Sequence, residues 1–249
     1  MTVFILFHFA VSPSVNKIRN IKKLKQKIYY KKGWYLKLKK LAIFDIDYTI
    51  TKKETLMELF KYTISKDVRN LRFLPRAAFS GLMYVMKVYD EKTVKEKFLK
   101  FIDGIKEEDL SILVKNFYKD RLQNIIYEDA LTMMRKLKKE GYDIYLISAS
   151  PEFYVNEFYN IGVVDKVIGT RFTFENGIFT RKMEGENCKG EEKVRRLKEV
   201  LDKENIEVDF KNSYMFSDSL SDKPLLDLVG KPYLINYKKK HDIEILKWK

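Results

Sequence analysis

Residues 41–47 read LAIFDID, four apolar residues followed at once by two aspartates two positions apart. An apolar run of this length without polar alternation predicts a strand buried on both faces of a parallel sheet. Its carboxyl end then carries Asp45 and Asp47, whose charges repel each other unless something at that edge uses them.

Comparable strands are expected over 142–148, 165–170, 213–218 and 232–237. The second follows the helical pattern ALTMMRKLKKE and Gly141, a residue suited to a helix C-terminus. Strands alternating with helices predict an α/β fold with a Rossmann-like parallel sheet. The stretch between the first two strands is too long for one crossover helix and is helical by periodicity, which predicts an inserted helical cap. Helices are expected from Glu54, through Val94 to Ile105, and through Leu110 to Phe117. The oiliest segment, AAFSGLMYVM at 77–86, is too short to span a bilayer and is read as packed in the core or the cap. RFTFENGIFT predicts a hairpin turning at Asn176–Gly177. The expected organisation is an N-terminal extension over 1–40, a core of 41–54 with 126–249, and a cap over 55–125.

The net charge of +14 belongs largely to that extension, which holds eleven Lys and Arg and no acid; the remainder carries 38 basic against 35 acidic residues. Three readings of residues 1–40 stand side by side: a basic arm, a peripheral membrane tether, and an upstream extension from a misplaced start. Specific nucleic-acid binding is not expected of the nearly neutral remainder. The single cysteine, Cys188, excludes an intramolecular disulfide, fits a cytoplasmic address, and is read as a buried thiol. Two histidines near opposite ends, His8 and His241, argue against a zinc site or a Ser-His-Asp triad. Carboxylates are left to carry acid–base chemistry.

In sheets of this kind ligands bind beyond the carboxyl ends of the strands. Asp45, Asp47, Ser148, Asp218 and Asp222 all fall there. So many carboxylates in one pocket call for a cation, and a hard divalent ion such as Mg²⁺, with oxygen ligands and phosphate, fits.

Four pieces in order, DIDYT (45–49), SAS (148–150), GENCKGEEKVRRL (185–197) and SDSLSDKPLL (217–226), resemble the haloacid dehalogenase superfamily, in its phosphoserine-phosphatase-like branch. The helical insertion sits where that branch carries its cap. The resemblance implies a magnesium-dependent phosphomonoester hydrolase acting through an aspartyl-phosphate on a small phosphorylated metabolite. Asp45 would be the nucleophile and Asp47 the proton carrier. Asp45, Asp47 through its backbone carbonyl, Asp218 and the supporting Asp222 would form the Mg²⁺ site. Lys189 would balance the phosphate charge, and Ser148, Ala149 and Thr49 would bind phosphate oxygens. Ser150 is read as structural.

Glu54 has two readings. It is a first-turn acid favoured by the helix dipole, or the carboxylate that in phosphoserine phosphatases meets the substrate ammonium. Those enzymes also use a cap arginine, and none occurs here between Arg76 and Arg121; Lys95 and Lys97 are the stand-ins, without the planar grip of a guanidinium. Phosphoserine is therefore demoted. A phosphotransferase of the same superfamily, and a non-enzymatic polyanion or membrane-surface binder acting through the basic arm, are the alternatives. Oligomeric state is left open, and Tyr48 is unexplained.

Overall fold

The first strand forms where its apolar run predicts it. The computed structural model describes residues 38–249, so all but the last three residues of the expected basic extension lie outside the described residues. In chain order the elements are β1 (Lys40–Phe44), α1 (Thr55–Lys66), α2 (Leu74–Val85), α3 (Glu91–Phe98), α4 (Glu107–Asp120), α5 (Glu128–Lys139), β2 (Tyr142–Pro151), α6 (Glu152–Val155), β3 (Lys166–Glu175), β4 (Ile178–Glu184), α7 (Glu191–Lys203), β5 (Tyr214–Ser217), α8 (Lys223–Leu228), β6 (Lys231–Ile235) and β7 (Glu244–Leu246).

The seven strands form one sheet in the order β4-β3-β2-β1-β5-β6-β7. All neighbours are parallel except β3 and β4. β1 lies at the centre, between β2 and β5, and every residue from Leu41 to Phe44 is fully buried. Successive side chains go to opposite faces. Leu41 and Ile43 join Leu197, Leu201 and Leu225 of α7 and α8 on one side, while Ala42 and Phe44 join Met134 of α5 on the other. The second of these clusters continues into Phe60, Phe101 and Phe117 of the inserted helices. The insertion thus shares apolar contacts with the core.

The hairpin turns where its sequence requires. Asn176 and Gly177 both have positive φ, 52° and 74°, and Glu175 pairs with Ile178. This is the turn that Asn-Gly adopts with least strain.

Two expectations about elements change. Strand β7 was not predicted: it has three residues, begins with Glu244 and sits at the sheet edge, where no long apolar run is needed. The larger change concerns 77–86. Of α2, only Ser80 is buried, whereas Phe79, Leu82 and Val85 are exposed. Among the described residues no helix is long and apolar enough to cross a membrane.

Candidate active site

β1 ends at Phe44, and the chain turns sharply through the aspartate pair. The amides of Thr49, Ile50 and Thr51 all donate to the carbonyl of Ile46, at 3.2, 2.9 and 3.0 Å. Tyr48 supports this winding by adopting a left-handed backbone, φ 57°, with its ring half exposed. A non-glycine residue there is uncommon and marks a shaped loop. The result separates the two aspartates by role.

Asp45 is buried at the end of β1. Its Oδ1 accepts a 2.6 Å hydrogen bond from Lys193 Nζ, and the same ammonium donates at 2.7 Å to Asp222 Oδ2. Lys193 itself is 2% exposed. Burial pushes the Asp45 carboxyl upward, Lys193 opposes that, and the charges of Asp222 and Asp47 add to it. Burial also works against the Lys193 charge, but Asp45 and Asp222 outweigh it and hold the ammonium above its ordinary range. A buried cation between two carboxylates is an arrangement in which each charge depends on the others.

Asp47 is held differently. Its Oδ1 accepts from the Thr55 amide at 2.7 Å and its Oδ2 from the Ser150 hydroxyl at 2.6 Å. Thr55 Oγ1 lies 2.9 Å from Tyr154 Oη and 3.3 Å from Ser150 Oγ, closing a small polar network around that carboxylate. Thr55 opens α1, so the first helix after the aspartate pair also orients it.

Asp218 follows β5. Thr49 Oγ1 lies 3.3 Å from Asp45 Oδ2 and 3.4 Å from Asp218 Oδ1, and accepts from the Asp218 amide at 2.8 Å. Burial raises the Asp218 carboxyl to about 6, Asp222 adding to the shift and Lys193 reducing it. Two carboxylate oxygens therefore converge on one hydroxyl in a site where burial disfavours their charge. A hard divalent cation fits that donor set, because Mg²⁺ needs only one or two carboxylates when phosphate and water complete its shell. Among the described residues no group of three or more His, Cys, Asp or Glu side chains is placed to hold a metal ion without other ligands.

Several of the expected site residues make contacts that their spacing did not announce. Lys189 does not reach the aspartates: its ammonium pairs with Glu91 of α3, and its side chain is 42% exposed. Lys193, one helical turn further on, is the lysine that contacts Asp45. The signal was present in α7, where Lys193, Leu197 and Leu201 recur at intervals of four on the buried face. A lysine on an apolar stripe requires a buried acid. Asp222 Oδ2 accepts from Lys193 and from Ser217 Oγ at 2.9 Å, so this carboxylate braces the lysine. Thr49 Oγ1 has the Asp45 and Asp218 carboxylates within reach of its single proton. Ser150, set aside as structural, contacts Asp47 directly; its two-residue offset from Ser148 on β2 was the available clue.

Ser148 is buried, and its Oγ accepts from the Ser150 amide at 3.0 Å. The Ala149 carbonyl accepts from Lys95 Nζ at 2.7 Å and Thr170 Oγ1 at 2.5 Å. Gly169 permits this strand end to pack closely, since a Cβ there would stand 2.6 Å from the Ser150 carbonyl oxygen.

Glu54 caps α1: its Oε2 accepts from the Met57 amide at 2.6 Å and its Oε1 from Leu56 at 3.3 Å. Burial, then the charge of Asp47, pushes its carboxyl up to about 7. Lys95 of α3 also donates to Asn187 Oδ1 at 2.7 Å, and burial lowers its ammonium to about 8. Lys97 instead lies 5.0 Å from the Tyr89 ring centre. Cys188 is buried, and burial pushes its thiol up to about 12, as expected of an inert core thiol.

Residues 42–227 match the family model for haloacid dehalogenase-like hydrolases. A probable phosphatase of Mycobacterium tuberculosis is 22% identical over 198 residues, covering 78% of this chain and 68% of its own. A Bordetella pertussis protein of unknown function has a similar structure, with TM-score 0.73 and 23% identity over 81% of this chain and 92% of its own. A substrate-bound phosphoserine phosphatase has TM-score 0.58 and 20% identity, over 84% of this chain and 93% of its own. With a family match spanning most of the sheet and all four motif segments, the chain belongs to the haloacid dehalogenase-like hydrolases.

Proposed function

We propose that this phosphatase hydrolyses a small phosphomonoester with Mg²⁺ through an aspartyl-phosphate formed on Asp45. The observation that carries the reading is the division of labour at the end of β1: Asp45 is clasped by Lys193, while Asp47 is held apart by Thr55 and Ser150. Phosphoryl transfer needs positioning and charge neutralisation above all.

Asp45 attacks phosphorus, the P–O bond to the alcohol breaks, and Asp47 gives its proton to the departing oxygen. Water then attacks the aspartyl-phosphate, Asp47 takes the proton, and Asp45 is released as a carboxylate with inorganic phosphate. Lys193 keeps Asp45 oriented and offsets the negative charge that gathers beside it. Ser148 and the amide of Ala149 bind the phosphoryl oxygens. Asp45, Asp218 and the Asp47 carbonyl would hold Mg²⁺, which when bound supplies charge neutralisation at the transferring phosphoryl group. Glu54 is retained as a candidate partner for a substrate ammonium, although two of its hydrogen bonds already cap α1. Lys95 is committed to the Ala149 carbonyl and Asn187, which keeps phosphoserine, with its extra carboxylate, a disfavoured substrate.

The test is phosphate release from a panel of small phosphomonoesters with Mg²⁺, wild type beside Asp45→Asn. The variant is expected to lose on the order of 10⁴-fold or more in turnover, as nucleophile removal does elsewhere, and excess EDTA is expected to stop the wild type reversibly. Full activity of pure Asp45→Asn would refute the nucleophile, and activity indifferent to EDTA would refute the metal.

A further inference from the structure

The inserted helices carry a surface that the hydrolytic reaction does not use. Between Asp67 and Asp90 the chain has no acidic residue and four basic ones, Arg69, Arg72, Arg76 and Lys87. A helix as apolar as α2 is ordinarily buried. Here Phe79 and Leu82 are each 54% exposed, Val85 77%, and Met86 and Val88 60%. The spacing of Phe79, Leu82 and Met86 aligns them on one side of the helix. Exposed apolar residues scattered singly need no explanation, but a connected group of them marks an interaction surface.

The charges decide what fits. Arg69 is paired with Asp67 at 2.7 Å, whereas Arg72, Arg76 and Lys87 are exposed and have no ion-pair partner among the described residues. A second copy seated on the same face would bring these cations against their own equivalents, with no acid in the segment to separate them. An anionic bilayer surface satisfies both features at once. Apolar side chains enter the headgroup–acyl boundary while flanking cations meet lipid phosphates.

We propose that residues 68–88 dock the protein on an anionic lipid surface. The segment leads within three residues into α3, which carries Lys95 to the Ala149 carbonyl, so docking occurs beside the helix that borders the reaction site.

The test is flotation of the full-length protein with vesicles of phosphatidylcholine alone and of phosphatidylcholine mixed equally with phosphatidylglycerol. Wild type is expected to float with the anionic vesicles and to be released by salt. Each cation is worth roughly fivefold, ~1 kcal/mol near a charged surface. The triple variant Arg72→Gln, Arg76→Gln, Lys87→Gln should therefore weaken binding on the order of a hundredfold. Phe79→Ser with Leu82→Ser and Val85→Ser should weaken it about tenfold or more, through lost apolar burial. Both variants should keep their melting temperature and their turnover of a soluble ester, since every changed side chain is exposed. Anionic binding unchanged in both variants would place the lipid contact elsewhere in the chain and overturn the proposal. So would absence of vesicle binding together with a wild-type dimer that the serine variant converts to monomer, which would make the face a self-interface.

Discussion

Lys193 and Lys189 stand four residues apart on either side of the start of α7, yet they belong to regions with opposite physics. Lys193 lies at the buried edge of the sheet, where Asp45 and Asp222 are its hydrogen-bonding partners and water is excluded. Lys189 lies in a polar seam between the 185–190 loop and α3. There Glu91 also accepts from Asn187 Nδ2 at 2.8 Å and Tyr84 Oη at 2.9 Å, and Lys92 reaches the Gly185 carbonyl at 2.8 Å. In the seam each charge can fall back on water. At the sheet edge none can, so the same residue type is replaceable in one place and indispensable in the other.

The widest separation between the two regions should come from Lys193→Met. It leaves two buried carboxylates without their shared cation, a change expected to destabilise the fold by about 3–5 kcal/mol and to remove phosphatase activity. Urea unfolding with a parallel phosphate-release assay measures both, and wild-type values in each would show that the two lysines are equivalent.

Glu54 stands where the regions meet, and its pH dependence sharpens the boundary. Burial and Asp47 push its carboxyl up from 4.5 to about 7, so between those pH values the folded chain keeps a proton that the unfolded chain has released. The unfolded state binds fewer protons there. Stability contributed by this group should fall as pH rises through that window and level off above it. Unfolding midpoints across the window should show a shallower slope for Glu54→Gln, and identical slopes would mean that Glu54 titrates like an exposed acid.

The smallest effect is expected from Lys189→Met. An exposed pair contributes roughly 0–1 kcal/mol, and turnover should change by less than about threefold, since a shift of that size is well under 1 kcal/mol. A loss comparable to that of Lys193→Met would restore Lys189 to the role the resemblance first gave it.

The sheet was legible where local pattern decides structure. The apolar run at 41–44, the helix-then-strand sequence ending at Ser148 and the Asn176–Gly177 turn each state their geometry within a few residues. Asp45, Asp47 and Asp218 were legible for the same reason, because polar residues at the ends of such strands must lie on the ligand-binding edge. α2 misled because its composition speaks for burial, while burial requires a neighbour that is not found over Phe79, Leu82 and Val85 among the described residues.

Taken alone, the sequence determined the α/β class, the carboxylate edge and the order of its motifs, since these rest on periodicity and on residues adjacent in the chain. Tertiary structure alone decided which lysine meets Asp45, that Ser150 holds Asp47, that Asp222 braces Lys193, and that α2 faces outward. The partners of Lys193 lie 148 and 29 residues away in the chain. A buried charge is assigned by what surrounds it in space, and four residues of helix are enough to carry a lysine from water into the core.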